Sequence, residues 1–191
     1  IESNTFIGHN LRGPAGIRII NQGHTVYDNY IKDVRSFGLL VRVGVYERPT
    51  AETDVKLEPL TSYHRVENVD IAYNTFLNSS LELGSGRGEK MPRNVRFAHN
   101  LFAGQTPDLK IVRANEVLPG FLFLDNEWAF SDKKSLSSVP YEQVREGFKP
   151  VDMPDGLNQE EKERIDACIF TVGPTWYKAL KENVNHIDTN R

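Results

Sequence analysis

Arg18 and Arg42 lie 24 residues apart, each within a run of aliphatic residues, GIRII (16–20) and GLLVRVGV (38–45). Neighbours alternate in an extended run, so Ile17 and Ile19 point one way and Arg18 the other. If 24 residues make one structural unit, the two guanidinium groups stack on one face. Guanidinium forks match carboxylates bidentately, so an aligned pair suits a line of carboxylates. Solvated strand charge explains the same residues equally well. Arg87 sits in the glycine-rich GSGRG (84–88), and Lys90 and Arg93 extend a basic patch. The glycines let a loop approach a ligand closely. The motif lacks the Lys-Ser/Thr of a phosphate loop and the second-strand acid of a dinucleotide fold, so it is read as neither. His24 and Tyr63 flank strand-like runs, and a turn histidine that bonds a carbonyl is the plainer reading of His24.

The bulk composition bounds what these residues can serve. The chain has 191 residues, 39% hydrophobic and 26% charged, with a net charge of −3. That is one ordinary globular domain with room for a core, and nothing global points to nucleic acid or an anionic membrane. One cysteine, Cys168, excludes an internal disulfide framework and a Cys-rich zinc site. No apolar run approaches the roughly 18 residues that span a bilayer. No basic-then-apolar leader is present, which says nothing about export if the chain is a fragment. Asn78-Ser-Ser matches a glycosylation acceptor, a short motif that is common by chance.

The elements that position the arginines emerge from a repeat. An apolar-x-x-Asn-x-aromatic pattern links Ile1, Asn4 and Phe6, and returns at Ile71, Asn74, Phe76, at Phe97, Asn100, Phe102, and at Phe123, Asn126, Trp128, with a compressed copy around Asn29. The asparagines are spaced 25, 45, 26 and 26 residues apart. The long step is close to two short ones, and predicts a copy without asparagine near Val41–Val45. Each unit carries short runs rich in β-branched and aromatic residues, and no helical stripe precedes residue 157. Strands repeating at this period define an all-β protein, a parallel β-helix. Propeller blades need about 40 residues or more, and a sandwich does not repeat its turn residue at constant spacing. Asn4, Asn29, Asn74, Asn100 and Asn126 then stand at successive turns. Asparagine tolerates left-handed geometry, and stacked amides form an inward ladder. The aromatic two residues later stacks in the core.

Coils are expected over 1–128, and a tail over 129–191. Residues 129–156 read as extended and Pro-punctuated. LNQEEKERIDACIF reads as a short helix, 158–169, capped by Asn158 with Glu161. Ile165, Cys168 and Ile169 form its apolar face, which makes Cys168 a packing residue. Trp176 offers an anchor for the tail along the β-helix surface.

NTFIG (4–8), AGIRIINQGHTVYDNYI (15–31), YHRVENVDIAYNTFLN (63–78), ELGSGRG (82–88) and FAHNLFAG (97–104) resemble, in that order, polysaccharide lyase family 6, the alginate lyase and chondroitinase B group. TVGPTW (171–176) resembles that family's ending. GIRI followed by GH-x-V-x-x-NY is the most specific piece. The resemblance implies a right-handed parallel β-helix of the pectin-lyase-like kind, here partial, with the short-helix tail. It implies cleavage of acidic, uronate-containing polysaccharide by β-elimination, with Ca²⁺ held by Asn and Glu, a Lys base and an Arg acid. The chemistry is sound: a cation offsets the developing enolate charge, and cationic surroundings lower a lysine pKa.

In that family the base, the calcium ligands and the Leu-Arg-His-Gly arginine lie ahead of the NTFIG-like segment, and no Leu-Arg-His-Gly occurs here. The expectation is a C-terminal portion with no catalytic residue and no metal ligand of its own. Calcium is expected for the full-length enzyme only. Arg18, Arg42, Arg87, His24 and Tyr63 are the expected substrate-binding residues. The isolated chain is expected to bind acidic polysaccharide weakly, to be inactive and to self-associate through its open end. The resemblance implies a secreted or periplasmic protein that engages neither nucleic acid nor membrane. A non-catalytic β-helical adhesin or carbohydrate-binding module is the alternative. A polygalacturonase-like hydrolase needs closely placed carboxylates, and the chain has no Asp-Asp pair.

Overall fold

The computed structural model describes residues 1–9, 15–47, 63–86, 88–104, 109–111, 120–130 and 134–152. Their strands form three parallel sheets wound into a β-helix. Sheet I holds β3 (Thr25–Tyr27), β6 (Glu67–Ala72), β9 (Arg93–Ala98) and β12 (Phe121–Leu124). Sheet II holds β1 (Thr5–Ile7), β4 (Tyr30–Lys32), β7 (Thr75–Leu77), β10 (Leu101–Gly104), β13 (Asn126–Phe130) and β14 (Phe148–Pro150). Sheet III holds β2 (Ala15–Ile19), β5 (Phe37–Arg42), β8 (Leu81–Ser85) and β11 (Leu109–Ile111). Every pairing between these strands is parallel.

Alternation decides which side chains fill the coil. In β6, Val69 and Ile71 are buried while Asp70 is half-exposed between them. In β2, Ile17 and Ile19 are buried and Arg18 is exposed, as the sequence predicts. Because coils stack in register, like side chains stack too. Ile31, Phe76, Phe102 and Trp128 form one in-register column through sheet II. Phe102 meets Trp128 edge-on at 5.3 Å, and Trp128 meets Phe148 at 5.7 Å.

The asparagine ladder forms, with one difference in detail. Asn29 Nδ2 donates to Asn74 Oδ1 at 2.8 Å, Asn74 Nδ2 to Asn100 Oδ1 at 2.9 Å, and Asn100 Nδ2 to Asn126 Oδ1 at 3.0 Å. Asn4 joins more loosely, donating to Asn29 Oδ1 at 3.2 Å from the exposed first rung. The left-handed residue is the one before each asparagine: Ser3, Asp28, Tyr73, His99 and Asp125 have φ between 48° and 61°. That residue turns the chain, and the asparagine side chain, now inside, bonds the carbonyl two residues back, as Asn74 Nδ2 does to Ala72 at 3.0 Å.

Two expectations change. The 45-residue step is a single coil, because β4 pairs directly with β7. GLLVRVGV supplies no extra copy; it contains β5, the sheet III strand of that same coil, paired to β2 and β8. Added length at a turn leaves strand register untouched, so spacing alone misreads it. Nor does the repeat stop at Trp128. Helices α1 (Lys134–Ser137) and α2 (Glu142–Gly147) replace the extended segment expected there, and β14 adds one more strand to sheet II beside β13. The short runs lack a helical stripe long enough to read from sequence. The helix expected at 158–169, with Cys168 and Trp176, lies outside the described residues.

Candidate functional site

Three of the five expected binding residues converge on the outer face of sheet III. Arg18 Nη2 donates to the Tyr63 hydroxyl at 2.6 Å. The Arg18 guanidinium carbon stands 5.4 Å from the Tyr63 ring centroid, and that of Arg42 stands 6.0 Å from it. One phenol ring therefore sits against two cations, a favourable contact with the ring quadrupole. The arginines are not directly in register, since Arg18 pairs with Leu40. Arg42 lies two residues further along β5, on the same side, and Tyr63 spans the offset.

A bulge sets the Arg42 position. The register between β5 and β8 shifts between Val41 and Arg42, so that Val41 opposes Leu83 while Arg42 opposes Ser85. The extra residue, Gly84, has a φ of 76°. Bulges of this kind re-aim side chains. Gly86 follows with a φ of 123°, and a Cβ placed there would lie 3.1 Å from Arg42 Nη2 and 3.2 Å from Nε. The first glycines of GSGRG thus make room for Arg42 in the neighbouring coil, a role the sequence reading did not assign them. Arg42 Nε is buried and has no hydrogen-bond partner among the described residues. A buried guanidinium N–H without an acceptor is costly unless a ligand supplies one.

Glu82 also faces this side, in register with Leu40 and two rungs from Arg18, which is roughly 10 Å at the usual strand spacing. It sets an acid at the edge of the basic patch. Lys90 and Arg93 are taken up elsewhere. Lys90 Nζ lies 3.7 Å from Glu47 Oε1, and Arg93 pairs with Glu67. His24 stands apart from the cluster. It is exposed, its Nε2 lies 2.6 Å from the Ile20 carbonyl oxygen, and it lines a shallow concavity on sheet I with Asn68, Asp70, Asn94 and Arg96. Arg87 lies outside the described residues.

Tyr63 is held by a neck in which the segment just after β5 bonds the segment that leads into β6, through a parallel bridge between Tyr46 and His64. Its carbonyl accepts from the backbone N–H of Val45 at 2.9 Å and of Tyr46 at 3.2 Å. Arg65 closes the neck by forking onto Glu47, Nε to Oε2 at 3.0 Å and Nη2 to Oε1. The Arg65 hydrogen bond holds the Glu47 carboxyl below the usual glutamate range, and Glu47 in turn raises Arg65. Sequence reading missed this pair; residues 18 apart with no periodicity give no signal.

Among the described residues no cluster of His, Cys, Asp or Glu can hold a metal ion. Calcium takes six to eight oxygen ligands, and the acid on this face is Glu82 beside two arginines. These residues do not fit that ion, and no step is routed through one here.

Coils stacked on an asparagine ladder define the class: a β-helical protein of the kind that includes polysaccharide lyases. The chondroitinase B family model matches residues 1–139, and the chain belongs to that family, within polysaccharide lyase family 6. A solved structure described as a mannuronic acid specific polysaccharide family 6 lyase from human gut microbiota is 98% identical, covers 99% of this chain and has a TM-score of 0.77. The chain spans 42% of that protein's length. The family 6 alginate lyase AlyGC is 21% identical over 85% of this chain and 22% of its own, with a TM-score of 0.60. A mutant of AlyGC is 22% identical over 92% of this chain and 25% of its own, with a TM-score of 0.63. These two show the shared fold. No curated protein matches the chain.

Proposed function

We propose that the chain supplies part of the substrate groove of a lyase that cleaves acidic, uronate-containing polysaccharide by β-elimination. The buried Nε of Arg42, without a partner among the described residues and beside Arg18 and Tyr63, carries this reading. A uronate carboxylate completes its hydrogen bonding, and Arg18, whose Nη2 also donates to the Tyr63 hydroxyl, offers its remaining N–H groups to the next carboxylate of the polymer. Holding the carboxylates fixes the register of the polymer against the coils and places one C4–O bond at the reacting centre. There a base takes the C5 proton, the electron pair forms the C4–C5 double bond, and the glycosidic oxygen leaves with a proton from an acid. The Lys base, the Arg acid and the calcium ligands are proposed to come from coils ahead of Ile1, in line with the 42% share of the 98% identical lyase that this chain spans. That relative's description points to mannuronate-rich alginate as the polymer. A polymer substrate suits a secreted or periplasmic enzyme.

The test uses the full-length protein with polymannuronate, following the absorbance of unsaturated products. Arg42→Gln is expected to raise KM about tenfold, the scale of a lost charge-assisted hydrogen bond. An unchanged KM refutes the assignment. The isolated chain is expected to bind polymannuronate without cleaving it, and unsaturated product from the purified chain would overturn the upstream placement of the base.

A further inference from the structure

We infer that Glu47 and Arg65 form a positioning clamp that sets polysaccharide affinity through Tyr63, an inference that rests on the groove reading above. Tyr63 is the residue that touches both guanidinium groups, yet it lies outside the named strands, so its place must come from the chain around it. Behind it, its carbonyl is fixed to Val45 and Tyr46. Ahead of it, the His64 N–H donates to Asn21 Oδ1 at 3.1 Å, and the Arg65 N–H donates to the Tyr46 carbonyl at 2.8 Å.

Arg65 ties this short segment to two further points. Its guanidinium forks onto Glu47, and its Nη1 donates to the Met91 carbonyl at 3.1 Å on the next coil. Lys90 approaches the same Glu47 carboxylate at 3.7 Å. Isolated surface ion pairs contribute little, but bidentate arginine pairs within a network are the exception. The backbone bonds of Val45 and Tyr46 hold the fold without the clamp. What the clamp adds is the direction in which residues 63–65 leave that ladder, and hence where the phenol stands against Arg18 and Arg42.

The charges make the test discriminating. Removing the Glu47 carboxylate makes the protein more positive, so long-range electrostatics alone predict tighter binding of a polyanion. The clamp predicts the opposite. In the full-length protein, Glu47→Gln is expected to weaken polymannuronate binding roughly threefold and to raise KM with kcat unchanged, the scale of one modest hydrogen bond. Glu47→Asp, which keeps the charge, is expected to recover part of that loss. Tyr63→Phe is expected to weaken binding roughly fivefold on the same scale. Because Glu47 acts through the Tyr63 side chain, the Glu47→Gln/Tyr63→Ala double variant should bind no worse than Tyr63→Ala alone. Unchanged or tighter binding by Glu47→Gln, or multiplied losses in the double variant, overturns the clamp while leaving the groove reading standing. Wild-type binding by both Tyr63→Phe and Arg42→Gln overturns the groove reading and the clamp with it. Far-UV circular dichroism on each variant confirms that the coils persist. If Glu47→Gln does not fold, Arg65→Lys takes its place with the same expected loss and the same double-variant criterion.

Discussion

Asn74 is the place to test whether the ladder stabilises the coils. Its side chain has five hydrogen-bonding neighbours, two at Oδ1 and three sharing the two N–H groups of Nδ2. Its Oδ1 accepts from the Asn29 backbone N–H at 3.0 Å and from Asn29 Nδ2 at 2.8 Å. Its Nδ2 donates to the carbonyls of Val26 and Ala72 at 3.0 Å each and to Asn100 Oδ1 at 2.9 Å. The residue is fully buried. At about 1 kcal/mol net per bond, and with two N–H groups shared among three acceptors, Asn74→Ala costs about 4 kcal/mol, and more where the Asn29 N–H groups find no replacement acceptor. That is a large fraction of the whole stability of a typical domain. Asn4 supplies the internal comparison. Its side chain donates only to the Glu2 carbonyl at 2.7 Å and to Asn29 Oδ1 at 3.2 Å, in an exposed position. Asn4→Ala should therefore cost about 1 kcal/mol. Urea unfolding followed by far-UV circular dichroism measures both, with ΔG extrapolated at a common slope. Equal losses in the two variants would refute the ladder as a source of stability and leave it a consequence of turn geometry.

The other predictions concern the face of sheet III and the end of the coil. Gly86→Ala forces a side chain into a left-handed backbone 3.1 Å from Arg42 Nη2, so polymannuronate affinity should fall several-fold while thermal stability falls by only about 1 kcal/mol; calorimetric titration and melting measure the two. Glu82→Gln removes the acid from the basic face and should tighten polyanion binding about twofold at low ionic strength, with the gain disappearing in high salt. The depressed Glu47 carboxyl contributes stability above the ordinary glutamate pKa and loses it as pH falls through its lowered folded value, so the melting difference between wild type and Glu47→Gln should be present at neutral pH and shrink as the pH falls below the ordinary glutamate range. Gly147→Ala places a Cβ 2.2 Å from Phe123 Cβ, where both α2 and β12 must shift, and should destabilise the last coil by several kcal/mol in the same melts.

What the sequence made legible follows from what repeats. The asparagine and the aromatic two residues on occupy the same place in every coil, so each copy reinforces the reading of the others, and Asn29 to Asn126 stack as the pattern implies. Alternation in GIRII was equally readable, because burial on one face leaves Arg18 a single direction. Features that occur once were not readable. Nothing in the spacing distinguishes a 45-residue coil from two of about 22, because the difference lies in which strands pair. The αL residue varies as Ser, Asp, Tyr, His and Asp, so its position hides behind the constant asparagine that follows it. The site combines both kinds of feature. Arg18 and Arg42 come from the repeating strands, whereas the bulge at Gly84 that aims Arg42 and the Glu47–Arg65 neck that carries Tyr63 interrupt the repeat. A regular solenoid offers each rung the same surface, so it can hold a polymer but cannot single out one bond in it. Selecting a bond requires departures from the repeat, and the described departures on sheet III cluster around Arg42 and Tyr63.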